Sequence, residues 1–228
     1  MRAADLAGPR PGGGVGARLG GWIFLVGTVA ALGYASRIEG GRPDRDILYQ
    51  WQTAAGNLVQ YGVILGLVLL LARGRLRELL ALRRPHSWGR AALLALGVLI
   101  GIYALAIALD PLLHPGREQG LTPPGWDSEH APAFLANFVA IALVAPVVEE
   151  LLFRGVGFSL LARYGQTAAI LLVGLAFGLW HGLVYALPVL AAFGAGLALV
   201  RSRTDSVYPC IALHATFNAV ALIAAVAA

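Results

Sequence analysis

Charge is what this chain lacks most. Asp, Glu, Lys and Arg together make up 13% of it, against about a quarter in a soluble domain. So few charges cannot clothe a water-facing surface, and the 58% hydrophobic content with a mean hydropathy of +0.74 places the chain in a bilayer. Lysine is absent, all 17 basic residues being Arg. With the abundance of Ala and Gly, that bias carries no mechanistic message. A single cysteine, Cys210, excludes an internal disulfide and any multi-cysteine metal site. Inside an apolar run it reads as packing.

Apolar runs between charged or Pro/Gly-rich punctuation predict seven spans, near 20–36, 54–72, 91–109, 133–153 or beyond, 167–183, 186–200 and 207–227. A helix needs roughly 20 apolar residues to cross the hydrocarbon core. The expected fold is therefore all-α, one polytopic bundle of about seven transmembrane helices. Residues 1–19, rich in Gly, Pro and Arg, read as a disordered leader, 20–130 as a first set of spans and 131–228 as the remainder. The first span reads as an uncleaved helix, the alternative being a signal peptide cut after "YAS". The stretch 167–200, interrupted only by Gly182 and Pro188, suggests a hairpin of two short helices. With the N-terminus cytoplasmic, 13 arginines fall on inner segments and only Arg37, Arg42, Arg45 and Arg117 on outer ones. The positive-inside rule thus sets the orientation, and the acidic 110–131 loop falls outside. Trp22, Trp51, Trp88 and Trp126 lie near predicted span ends, where amphipathic rings prefer to sit.

Few ionisable groups remain within or beside the spans: Glu149, Glu150, Arg154, His181 and His214. Each needs a partner, a wet cavity or a chemical role. Glu150 and Arg154 are four residues apart with the acid first, the favourable order for a structural ion pair. Glu149, about 100° round the same helix, lacks a local partner and follows Pro146, which loosens the backbone there. "FGLWH" places Phe177 and His181 on one helix face, and "HATFN" does the same for His214 and Asn218. If the fourth helix continues to Arg163, Glu149, His181, His214 and Asn218 reach one depth. A break at Gly155 or Gly157 would move Glu149 toward the cytoplasm. Gly174, Gly178 and Gly182, and likewise Gly97 and Gly101, recur at steps of four and read as packing ridges.

A carboxylate, two imidazoles and a carboxamide facing one wet pocket hold what amide hydrolysis requires: a base for water, a proton donor for the leaving amine and donors for the oxyanion. No strong serine or cysteine nucleophile stands nearby. Glu149, His181 and His214 also have the ligand types of a zinc site, but the HExxH arrangement of the soluble zinc peptidases is missing.

"EELLFR" at 149–154, "FGLWH" at 177–181 and "HATFN" at 214–218 resemble, in order and on separate spans, the EExxxR, FxxxH and HxxxN motifs of the CPBP intramembrane proteases. That group includes the type II CAAX prenyl endopeptidases and the bacterial Abi proteins. The resemblance covers about residues 130–225, making 131–228 the expected catalytic core and 20–130 a variable N-terminal part. It implies an intramembrane endopeptidase of the bacterial cytoplasmic membrane acting on a membrane-associated or lipid-modified peptide or protein. It further implies Glu149 as the base that activates water, His181 as its partner on that water, His214 and Asn218 as the oxyanion site, and Glu150 and Arg154 as structural support. No metal is expected as cofactor, with zinc on Glu149, His181 and His214 as the alternative. Other partners would be the bilayer, not nucleic acid. Oligomeric state has no signature in the sequence. A transporter relaying protons would need a polar path and usually an internal repeat, and neither is evident; a non-proteolytic immunity scaffold is the remaining alternative.

Overall fold

The structure, a computed structural model, describes residues 12–39, 46–114, 118, 123 and 125–227. Among the described residues there is no strand. The helices are α1 (Gly12–Glu39), α2 (Trp51–Leu71), a short α3 (Leu76–Leu79) and α4 (Trp88–Leu113). They are followed by α5 (Ala131–Tyr164), α6 (Gln166–Trp180), α7 (Leu187–Thr204) and α8 (Tyr208–Ala227).

Five of these, α1 over Gly14–Ile38 together with α2, α4, α5 and α8, are long and apolar enough to cross a membrane. The seven spans expected from the sequence also include α6 and α7. The two remaining helices form the anticipated hairpin, but α6 has only 15 residues and α7 ends in Arg201 and Arg203. The connection begins at Gly182, whose φ of 62° is left-handed. Helix α1 begins at Gly12 rather than near 20, because Val15 and Leu19 pack on the core and Arg18 Nη2 donates to the Arg73 carbonyl at 2.9 Å. Residues 1–11 of the expected leader lie outside the described residues. Trp22 departs from the expected membrane-edge position. It is buried, edge-on to Phe153, with its indole N–H on the Leu152 carbonyl at 3.0 Å.

The α6–α7 hairpin is held by glycine. A Cβ on Gly174 would stand 2.7 Å from the Ala195 nitrogen, one on Gly178 2.9 Å from the Ala191 nitrogen, and one on Gly194 2.8 Å from the Gly174 carbonyl oxygen. Without a water-driven force between helices, such backbone approach is how packing is gained in lipid. Gly97 and Gly101 of α4 have nothing within 4 Å of a built Cβ, so the second ridge makes no close helix contact in this bundle.

Helix ends sort the charges. Arg83 bonds Asp205 by both side chain and carbonyl (2.8 Å each), Val207 N–H meets the Ala81 carbonyl at 3.2 Å, and Ser202 meets Gln166 at 2.9 Å. These links put the start of α1, the end of α2, the starts of α4, α6 and α8 and the end of α7 on one face. Arg18, Arg73, Arg75, Arg77, Arg83, Arg84, Arg90, Arg163, Arg201 and Arg203 gather there. The opposite face carries Asp46, Asp110, Glu118, Asp127 and Glu129, with Arg37 the one arginine among the described residues.

Glycine spacing yields a discriminating test. Gly174→Val should destabilise the bundle by roughly 1–3 kcal/mol or more through overpacking. Gly97→Ala should be neutral or stabilise by up to about 1 kcal/mol, since Ala is the better helix former. Thermal unfolding of both variants in detergent reads the difference.

Candidate active site

Helix α5 is a continuous rod of 34 residues whose winding widens twice. Val139–Val144 and Leu151–Gly157 are wound as π-helix, and Ala145–Glu150 between them is α-helical. Pro146 explains the first change. In the wide register the Ala145 N–H reaches the Ala140 carbonyl, and the next position, aimed at Ile141, has no N–H to give. The Ile141 carbonyl is met instead by Nδ2 of Asn218 at 2.9 Å. The second wide segment is served likewise, Trp22 donating to the Leu152 carbonyl and Arg201 Nε to the Arg154 carbonyl at 3.1 Å. Backbone carbonyls away from water need such donors. Glu149 therefore sits on a turn fixed from both sides.

Beside it lies the expected ion pair. Arg154 Nη1 donates to Glu150 Oε1 at 2.8 Å, and both side chains are 0% exposed. The guanidinium also donates to the Gly194 carbonyl at 2.8 Å and lies over the Phe177 ring, 4.5 Å from its centroid. Glu150 does more than neutralise Arg154, because its Oε1 also accepts from His214 Nδ1 at 2.9 Å. That bond fixes the imidazole so that Nε2 points toward Glu149, 3.9 Å from Oε2. Such a gap is too long for a direct hydrogen bond and is the span one water bridges.

Glu149 is 3% exposed and takes a hydrogen bond on Oε1 from the Tyr61 hydroxyl of α2 at 2.8 Å. His181, at the end of α6, gives Nδ1–H to the Phe177 carbonyl at 2.8 Å, which leaves Nε2 as its free nitrogen. Phe177 stands between the imidazoles, its ring centroid 4.8 Å from that of His181 and 5.4 Å from that of His214. Glu149, His181, His214 and Asn218 all line one cavity of about 1010 Å³. All four sequence candidates are thus brought together, and Glu150 and Arg154 pair behind them.

Sequence reasoning missed Tyr61. The first three spans read as almost free of polar residues, yet Gln60 and Tyr61 interrupt the apolar run of α2 and both line the cavity. That adjacent polar pair was the available signal. Among the described residues, no group of three His, Cys, Asp or Glu side chains is arranged to hold a metal ion. Both imidazoles have Nδ1 engaged, His181 by the Phe177 carbonyl and His214 by Glu150, which leaves their Nε2 atoms for the cavity.

The Asn218 contact generates a double-mutant test. Asn218→Ala strands the Ile141 carbonyl and should cost about 1–3 kcal/mol. In a Pro146→Ala background, which restores a backbone N–H at that turn, the same substitution should cost much less. Equal losses in both backgrounds, read by thermal unfolding in detergent, would refute the compensation.

Neither a curated protein nor a solved structure matches the chain. A family model does match, over the part that holds all three motifs. Residues 131–220, bearing Glu149, His181, His214 and Asn218, match the model of the family described as type II CAAX prenyl endopeptidase Rce1-like.

Proposed function

We propose that this integral membrane protein is an endopeptidase that hydrolyses a peptide bond of a membrane-associated or lipid-modified substrate with a water activated by Glu149. The observation that carries the reading is the arrangement of Glu149, its Oε1 held by Tyr61 and its Oε2 facing His214 Nε2 across 3.9 Å at the wall of a large cavity. A water between them gives its proton to Glu149 while its oxygen attacks the scissile carbonyl carbon. His181, whose Nε2 is free, completes the hold on that water. His214 acts as the imidazolium paired with Glu150 and gives Nε2–H to the developing oxyanion, and the Asn218 amide has a second N–H for it beyond the one given to Ile141. On collapse the C–N bond breaks and Glu149 returns the proton to the leaving amine.

The reading needs no metal, because Glu149, its Oε1 held by Tyr61, is itself the base for the water; zinc on Glu149, His181 and His214 is the alternative. Orientation follows from the arginine-rich face, which the positive-inside rule places toward the cytoplasm, with the N-terminus on that side of a bacterial cytoplasmic membrane.

Comparative peptidomics of cells carrying wild-type or Glu149→Gln protein tests the function. Products present with the first and absent with the second, at equal protein levels, are expected; identical peptide sets would overturn the reading. His214→Ala should slow product formation by about a hundred- to a thousandfold. Arg154→Ala, by stranding buried Glu150, should instead lower stability by about 3–5 kcal/mol. Activity should survive exhaustive chelation, and stoichiometric zinc regained in step with activity would refute the metal-free mechanism.

A further inference from the structure

The cavity is closed on the arginine-rich side. None of that face's arginines lines it. Between them and Glu149 lies a packed layer in which Trp22 presses on Gly157 so closely that a Cβ there would stand 2.6 Å from the indole, and Leu80 covers Gly155. The lining reaches the other face, ending at Ser36 and Arg37 in the last turn of α1 and at Ala225 in the last turn of α8. Ser36 and Arg37 are exposed. Leu32, Val63 and Leu67 line the cavity and are exposed rather than enclosed, so it opens sideways between α1 and α2. Gln60, an exposed amide on the same wall, requires water in a stretch otherwise fit for hydrocarbon.

We infer that the cavity is entered from the face opposite the arginines, the extracytoplasmic side. Its substrate class is then a membrane-anchored peptide whose scissile bond lies in the outer half of the bilayer. Its apolar part rests along α1 and α2, and its polar part meets water near Ser36 and Arg37. The chemistry rests on the endopeptidase reading; the sidedness does not. A cytoplasmic peptide tail would meet only the closed layer around Trp22.

The experiment labels single cysteines with a charged, membrane-impermeant maleimide in sealed right-side-out and inverted vesicles. Cys210, the chain's single cysteine, is buried, so the wild-type protein is the unlabelled blank. Ser36→Cys and Gln60→Cys should react in right-side-out vesicles and lose labelling in inverted ones, with Arg84→Cys showing the reverse. Reaction of Ser36→Cys only in inverted vesicles, or of Ser36→Cys and Arg84→Cys from the same side, would overturn the proposal. Adding Glu149→Gln to Ser36→Cys separates the two readings. Retained labelling with lost products upholds both; retained labelling with products still formed overturns the endopeptidase reading and leaves the sidedness standing.

Discussion

The Glu150–Arg154 ion pair ties the bundle together. A lone charge at the bilayer centre costs at least about 2.5–3.5 kcal/mol, so neither residue is tolerable without the other. Once paired, they also hold neighbours: Arg154 the Gly194 carbonyl of α7 and the Phe177 face of α6, Glu150 the His214 imidazole of α8. One buried pair on α5 thus fixes the register of three other helices. The close glycine contacts of the α6–α7 hairpin serve the same centre, since they bring the Gly194 carbonyl within reach of the guanidinium. A hydrophobic replacement of similar volume could be as stable, but it could not orient an imidazole.

Helix α5 pays for carrying Glu149 with two stretches of wide winding. Along each, backbone carbonyls take hydrogen bonds from side chains far along the sequence: Asn218 in the first, Trp22 and Arg201 in the second. Such bonds make the turn between the two segments rigid, because moving it would strand acceptors where no water waits. Rigidity at that turn is what an acid needs if it is to hold one water in one place.

Much of this was legible in the sequence, and the reason differs from residue to residue. Glu150 and Arg154 announce their pairing by i,i+4 spacing, and the hairpin at 167–200 is punctuated by Gly182 and Pro188. The convergence of Glu149, His181, His214 and Asn218 was also readable, because polar groups in apolar spans have few places to go. Other features depend on contacts that no local pattern encodes. Pro146 hinted at a loosened helix, but only the fold shows which carbonyl it orphans and that Asn218 answers it. Trp22 has the sequence position of an interfacial ring, yet it is drawn inward because Gly157 leaves a slot for it. Two of the seven expected spans, α6 and α7, are shorter or end in arginines, since helices packed as a hairpin need not each present a full lipid-facing length.

The family match begins at residue 131, but the site does not. Tyr61 reaches Glu149 from α2, and residues of α1 and α2 from Leu25 to Leu67 form the cavity wall facing the motif helices. A proton-relaying transporter would need this polar pocket to continue to the other face, whereas it stops at the packed layer around Trp22, Leu152 and Phe153. A pocket closed at one end and open sideways along its length is suited to holding a chain while a bond is cut. Because the ion pair fixes the reacting groups from one side and α1 and α2 shape the cavity from the other, substitutions at positions such as Leu32 or Val63 can change which chain fits without disturbing Glu149. Part of the cavity wall therefore belongs to helices that lie outside the matched residues.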